Sequence, residues 1–120
     1  MTDERQQLPV VVKAYDLLLW LIPHIDKMPR SRKFTLGDRL ENVTLELLLT
    51  LVEAAYSRHK RALLERANLA AEKLRFLLRA LRDLGLLSRK SHTFAMEQIT
   101  EIGRMIGGWL RQQHAREPSP

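Results

Sequence analysis

The sequence predicts an all-α fold, an antiparallel up-down-up-down bundle of four helices, and three observations carry that prediction. Gly and Pro number five each and aromatic residues make up 6% of the chain, while Leu, Ala, Glu and Arg, whose side chains lose little freedom in a helix, abound. Apolar residues recur at helical spacing in four long stretches. Only a few residues separate these stretches, and connections that short force antiparallel neighbours. At 120 residues the chain suits one domain. It divides into a polar N-terminal extension (1–8), the bundle (9–113) and a disordered C-terminal tail (114–120).

Helix one opens at Pro9, tolerated in a first turn whose N–H lacks an intrahelical partner anyway, and its apolar positions run Val11, Tyr15, Leu18, Ile22, Ile25. Pro23 is expected to kink or end its regular part, and Pro29 to close the region by disfavouring helical geometry at Met28. Residues 27–34 then form the first connection. Thr35 followed by Asp38 resembles a capping box at the start of helix two, predicted over about 36–57 with inner positions Leu36, Leu40, Val43, Leu47, Leu51 and Ala54.

Helix two carries a second apolar row, Leu45, Leu48, Leu49, Val52 and Tyr56. A helix apolar on more than one face is buried on more than one face, and in so small a protein the second face is expected to meet another subunit. After a polar connection at 57–60, helix three repeats Leu63, Ala67, Ala70, Leu74, Leu77, Leu81 and Leu84 at alternating steps of four and three. Gly85 supplies its left-handed stop. Ser88 can cap helix four, whose inner positions are Ala95, Ile99, Ile102, Ile106 and Trp109. Gly103 and Gly107 share one face of that helix, each at a cost of about 1 kcal/mol relative to Ala. They are expected to let another backbone approach closely, as part of the same oligomer interface.

The positive charge is concentrated. Residues 58–90 hold ten Lys and Arg against three Asp and Glu, a window of +7 in a chain of net charge +6, which implies a polyanionic partner. Arg75, Arg79 and Arg82 fall roughly opposite the seam of helix three. The topology gathers Lys27, Arg30, Arg32 and Lys33 of the first connection with Arg82, Arg89 and Lys90 of the third at one end of the bundle. Arg58, Lys60 and Arg61 mark the other end. Guanidinium forks suit bidentate phosphate contacts. Few aromatics accompany them, so binding is expected to be directed at the nucleic-acid backbone, weakly sequence-specific and strongly salt-dependent.

Other chemistry finds little support. Cysteine is absent, which removes disulfides, thiolate metal sites and a Cys nucleophile, together with any argument for an oxidising compartment. The longest apolar run, residues 17–22, is six residues, against about 20 for a membrane span. The polar amino end is unlike a signal peptide, so a cytoplasmic protein is expected. His24, His59, His92 and His114 show no metal spacing, and Glu97 and Glu101 are expected to pair with Arg104 or with water. Neither His59 nor His92, in or beside connections, takes a role. No catalytic constellation and no cofactor are expected, and the chain does not read as an enzyme.

Three segments carry a family resemblance: Arg32-Lys33-Phe34-Thr35-Leu36-Gly37-Asp38-Arg39, Leu74-Arg75-Phe76-Leu77-Leu78-Arg79, and Glu101-Ile102-Gly103-Arg104-Met105-Ile106-Gly107-Gly108-Trp109. In order and spacing, over roughly residues 8–112, the chain resembles the accessory variability determinant (Avd) proteins of diversity-generating retroelements. These stand within a wider four-helix-bundle family that includes proteins encoded in intervening sequences of bacterial 23S ribosomal RNA. The resemblance implies a homopentameric barrel of bundles with a basic surface that binds nucleic acid, RNA and possibly DNA, and the element's reverse transcriptase. It implies no membrane and no catalysis by the protein itself. It places the binding on helix three and at the bundle ends, here Arg58, Lys60, Arg61, Arg75, Arg79, Arg82, Arg89 and Lys90, and makes the Gly-Gly-Trp segment structural. In such elements the reverse transcriptase copies a template-repeat RNA with adenine-directed errors, and the cDNA replaces a variable repeat in a target gene. The alternative is an assembly protein of the ribosomal intervening-sequence type with no nucleic-acid role.

Overall fold

A computed structural model describes residues 2–116, with side chains described from Pro9 onward. The described residues form four long helices and no strand. Helix α1 is Thr2–Asp26. Helix α2 spans residues 30–56 as an α-turn, Arg30–Arg32, a π-helical stretch, Lys33–Gly37, and a regular part, Asp38–Tyr56. Helices α3 and α4 are Lys60–Asp83 and Arg89–Arg116. Each helix packs on its neighbours in sequence and α4 closes against α1, giving an antiparallel rod of 50 × 25 × 23 Å. Trp20 near the end of α1 stacks at 5.1 Å on Phe94 near the start of α4. The first and third connections therefore share one end of the rod, called here the first end.

The core is one continuous apolar cluster. On α1 the buried row is Val10, Ala14, Leu17, Leu21 and Ile25, not the row through Val11, Leu18 and Ile22, and Tyr15 is 49% exposed. Two apolar rows run side by side on this helix, 100° apart, and periodicity alone does not choose between them. Residues 2–8, expected as an extension, are helical, and Pro9 stands inside the helix rather than in its first turn. Pro23 does not end it either. The proline is exposed one turn from the terminus, where few hydrogen bonds remain to lose, and the chain closes with Lys27 N–H donating to Pro23 O and Met28 N–H to Ile25 O.

Helix α2 begins earlier than the sequence indicates, at Arg30. The proline that closes α1 also opens α2: Pro29 is the N-cap residue, extended at φ −56°, ψ 146°, and its carbonyl accepts from Arg32 and Lys33 N–H. The first connection is thus residues 27–29. Thr35 is not a cap, since its hydroxyl lies 3.2 Å from Arg32 O. The N–H of Asp38 donates to Lys33 O, five residues back, the signature of a π-turn. This turn seats Gly37 against α1, where an added Cβ would meet Ile25 Cγ2 at 3.1 Å.

Leu40, Val43, Leu47, Leu51 and Ala54 are buried as expected. Of the second row, Leu48 is buried in the chain's own core at 8% exposure, whereas Leu49 and Tyr56 stand 60% and 89% exposed with Leu45 and Val52 half-buried between them. On α3 the seam holds through Leu74, then passes from half-buried Leu77 to fully buried Leu78. A repeat of alternating fours and threes drifts around a helix of 3.6 residues per turn, so the inner row moves by one position. Leu84 lies past the helix end and is exposed, and Gly85 makes the stop at φ 74°. Ser88 Oγ accepts from Ser91 N–H at 3.1 Å and caps α4, whose five expected inner residues are all buried. The helix runs on to Arg116, past Gln113, where His114 and Arg116 suit the negative end of its dipole. Of the expected tail, residues 117–120 lie outside the described residues.

Candidate nucleic-acid interface

Three helices start with bases. Arg30, Arg32 and Lys33 open α2, Lys60 and Arg61 open α3, and Arg89 and Lys90 open α4, and no first turn among them holds an acid. This opposes the helix dipole, whose positive end disfavours each cation by about 0.3–1 kcal/mol. At the α3 start the arrangement is explained locally. Lys60 Nζ reaches back across the turn and donates to Ala54 O at 2.8 Å and Ala55 O at 3.3 Å, and so caps the negative end of α2. It also lies 5.9 Å from the centre of the Trp109 ring. Arg61 pairs with Glu65 at 3.1 Å. Lys60, expected to contact phosphate, is thus held by backbone, while Arg58 beside it is exposed.

At the first end the bases are exposed. Among the described residues no acid pairs with Arg30, Arg32, Arg89 or Lys90, and Lys33 lies 6.0 Å from the ring of exposed Phe34. Anions are stabilised at helix N-termini by free N–H groups and the dipole, so bases placed there reinforce an existing preference for negative charge.

The arginine row of α3 runs from this end along the α3–α4 groove. Arg75 is the most constrained, with Nε 3.2 Å from Glu72 Oε1 and Nη1 donating to Thr100 Oγ1 at 3.2 Å. Arg79 lies 4.0 Å from Asp83, and the same carboxylate takes two bonds from Arg82, at 3.0 and 3.1 Å. These are exposed pairs worth at most about 1 kcal/mol each, and a phosphate can replace their carboxylates. His92 faces the groove. Its Nε2 is shielded from solvent and has no hydrogen-bond partner among the described residues. Desolvation, and then the nearby Arg82 cation, lower its pKa from the ordinary 6.5, with Asp83 opposing, so the ring is neutral at pH 7. The sequence marks His92 only as a polar residue beside a connection. Nothing in it shows that the first turn of α4 leans the ring onto α3.

Gly103 and Gly107 meet no other backbone within the chain. A Cβ at either would find only an arginine nitrogen, of Arg75 at 3.9 Å or of Arg111 at 3.6 Å, so the close approach expected of them is not made inside the bundle. Glu101 pairs with Arg104 as expected, Nε to Oε2 at 3.0 Å, and this hydrogen bond holds its carboxyl below the usual carboxylate range. No group of three or more His, Asp and Glu among the described residues could hold a metal ion. No helix among them is long and apolar enough to cross a membrane.

Fold and surface together define a small all-helical bundle protein with a strongly basic end. A model of the bAvd-like family matches residues 8–113, and the chain belongs to that family. No curated protein and no solved structure matches it.

Proposed function

We propose that this protein is the non-catalytic, nucleic-acid-binding accessory subunit of a diversity-generating retroelement. In this reading it acts in the cytoplasm and associates with the reverse transcriptase and its template RNA and cDNA during mutagenic retrohoming. The observation that carries the reading is the first end of the rod. Bases occupy two helix starts there without acidic partners, at a cost to the isolated bundle that binding an anion reverses. The Arg79–Arg82 stretch of α3 continues this surface. Homopentamer formation, implied by the family, is supported by the outward row Leu45, Leu49, Val52 and Tyr56, whose exposure is unfavourable in a single chain. A ring repeats the basic end around its axis, so weak contacts act together on one strand.

The test is RNA binding as a function of salt. Five bases at the first end of one subunit predict a log–log slope of about −3 to −4 on single-stranded RNA, from roughly −0.7 per neutralised phosphate. An isotherm that does not move between low and moderate salt overturns the proposal. The same outward row supports a second reading, an assembly protein of the ribosomal intervening-sequence type. That reading gives a stable oligomer by light scattering with no RNA shift even at low ionic strength.

A further inference from the structure

Phe76 stands among the arginines of α3 and is 66% exposed. It lines a cavity of about 410 Å³ between α3 and α4, with Arg75, Arg79, Arg82, His92 and Met96 around it. An aromatic ring left in water on a helix with a well-filled inner face gains nothing for the fold. The groove joins an apolar floor, Phe76 and Met96, to guanidinium groups one helical turn apart. In its wall lies the buried His92 Nε2, which lacks a partner at a free-energy cost.

We infer that this groove holds one unpaired nucleotide, its base stacked on Phe76 and its phosphate on Arg79 and Arg82. The inference rests on the nucleic-acid reading above and deepens it, because phosphate contacts alone do not distinguish single strands from duplexes, whereas stacking needs a base free of its partner. Arg79 and Arg82 share one carboxylate, Asp83, so a phosphate entering between them completes an undersupplied pair. Arg75, tied to Glu72 and Thr100, stays as the wall. The neutral His92 ring can donate to or accept from a base edge. Arginine-directed phosphate binding therefore supplies most of the affinity, and Phe76 supplies the preference for unpaired strands.

The test compares a short unpaired RNA with the same sequence annealed to its complement, at constant salt, on wild type, Phe76→Leu and Phe76→Trp. Phe76→Leu is expected to weaken the unpaired strand about tenfold, within the range for loss of one stacked base, and to leave duplex affinity and salt slope unchanged. Phe76→Trp is expected to bind the unpaired strand as tightly as wild type or better. Equal loss on both RNAs, or no loss on either, overturns the inference and leaves the nucleic-acid reading standing. Wild type that binds neither RNA at low salt removes both. A fall in oligomer mass for Phe76→Leu assigns the ring to a protein contact and also overturns the inference.

Discussion

The two ends of the rod share a local sequence pattern, bases in a helix's first turn with no acid among them, and use it differently. At the α3 start the turn of residues 57–59 brings the end of α2 within reach, and Lys60 satisfies two of its carbonyls. At the first end Arg30, Arg32, Arg89 and Lys90 have no acid to meet among the described residues. A base at a helix start is thus a structural cap where a helix end lies beside it, and an uncompensated charge where none does. A tally of charge along the sequence gives both the same weight; only the neighbouring carbonyls separate them.

The largest expected effect comes from replacing Arg30, Arg32, Lys33, Arg89 and Lys90 together with Gln. Single-strand RNA affinity should fall on the order of a thousandfold, and the salt slope should flatten toward zero as phosphate contacts are lost. Stability should move the other way, rising by about 1 kcal/mol or more as cations leave helix N-termini. Binding isotherms and denaturant titration on the same variant read both signs. A variant that loses stability along with binding would break the comparison, because its bases would then be serving the fold.

Lys60→Met should give the opposite pair of results. It keeps the apolar stem and removes two charge-assisted bonds, so the bundle should lose about 1.5–3 kcal/mol by denaturant titration while RNA affinity changes by less than about threefold. A large binding loss with unchanged stability would return Lys60 to the phosphate-contacting set in which the sequence placed it.

How far the sequence discloses this molecule follows from how local each signal is. The α4 face, the Gly85 stop and the Ser88 cap depend on near neighbours in the chain and are legible in it. The rows of α1 are not, because Val10-Ala14-Leu17-Leu21 and Val11-Tyr15-Leu18-Ile22 are equally good apolar stripes until a neighbouring helix selects one. The start of α2 is hidden by its π-turn, which shifts the period and makes Thr35 and Asp38 imitate a cap. At the basic surface the residue types are plain from sequence. The cap role of Lys60, the shared carboxylate of Arg79 and Arg82 and the shielded ring of His92 depend on which atoms face each other.

The smallest expected effect lies at His92, on the border between the first end and the groove. Burial and the Arg82 cation both disfavour its protonated form, and Asp83 only partly offsets them, so its folded-state pKa lies below the 6.5 of the unfolded chain. Between the two values the unfolded state binds more protons than the folded state, so stability rises with pH there. The contribution is fully present above about pH 6.5 and is lost as pH falls through the folded pKa. Arg82→Gln removes the second cause but not the first. In an NMR titration the His92 ring should therefore move up toward 6.5 without reaching it, and the acid-side loss of stability should narrow. A ring that titrates above 6.5 in the wild type would place a carboxylate, not a guanidinium, as its dominant neighbour. Asp83 would then be turned toward His92 and away from Arg79 and Arg82, leaving both arginines open to phosphate.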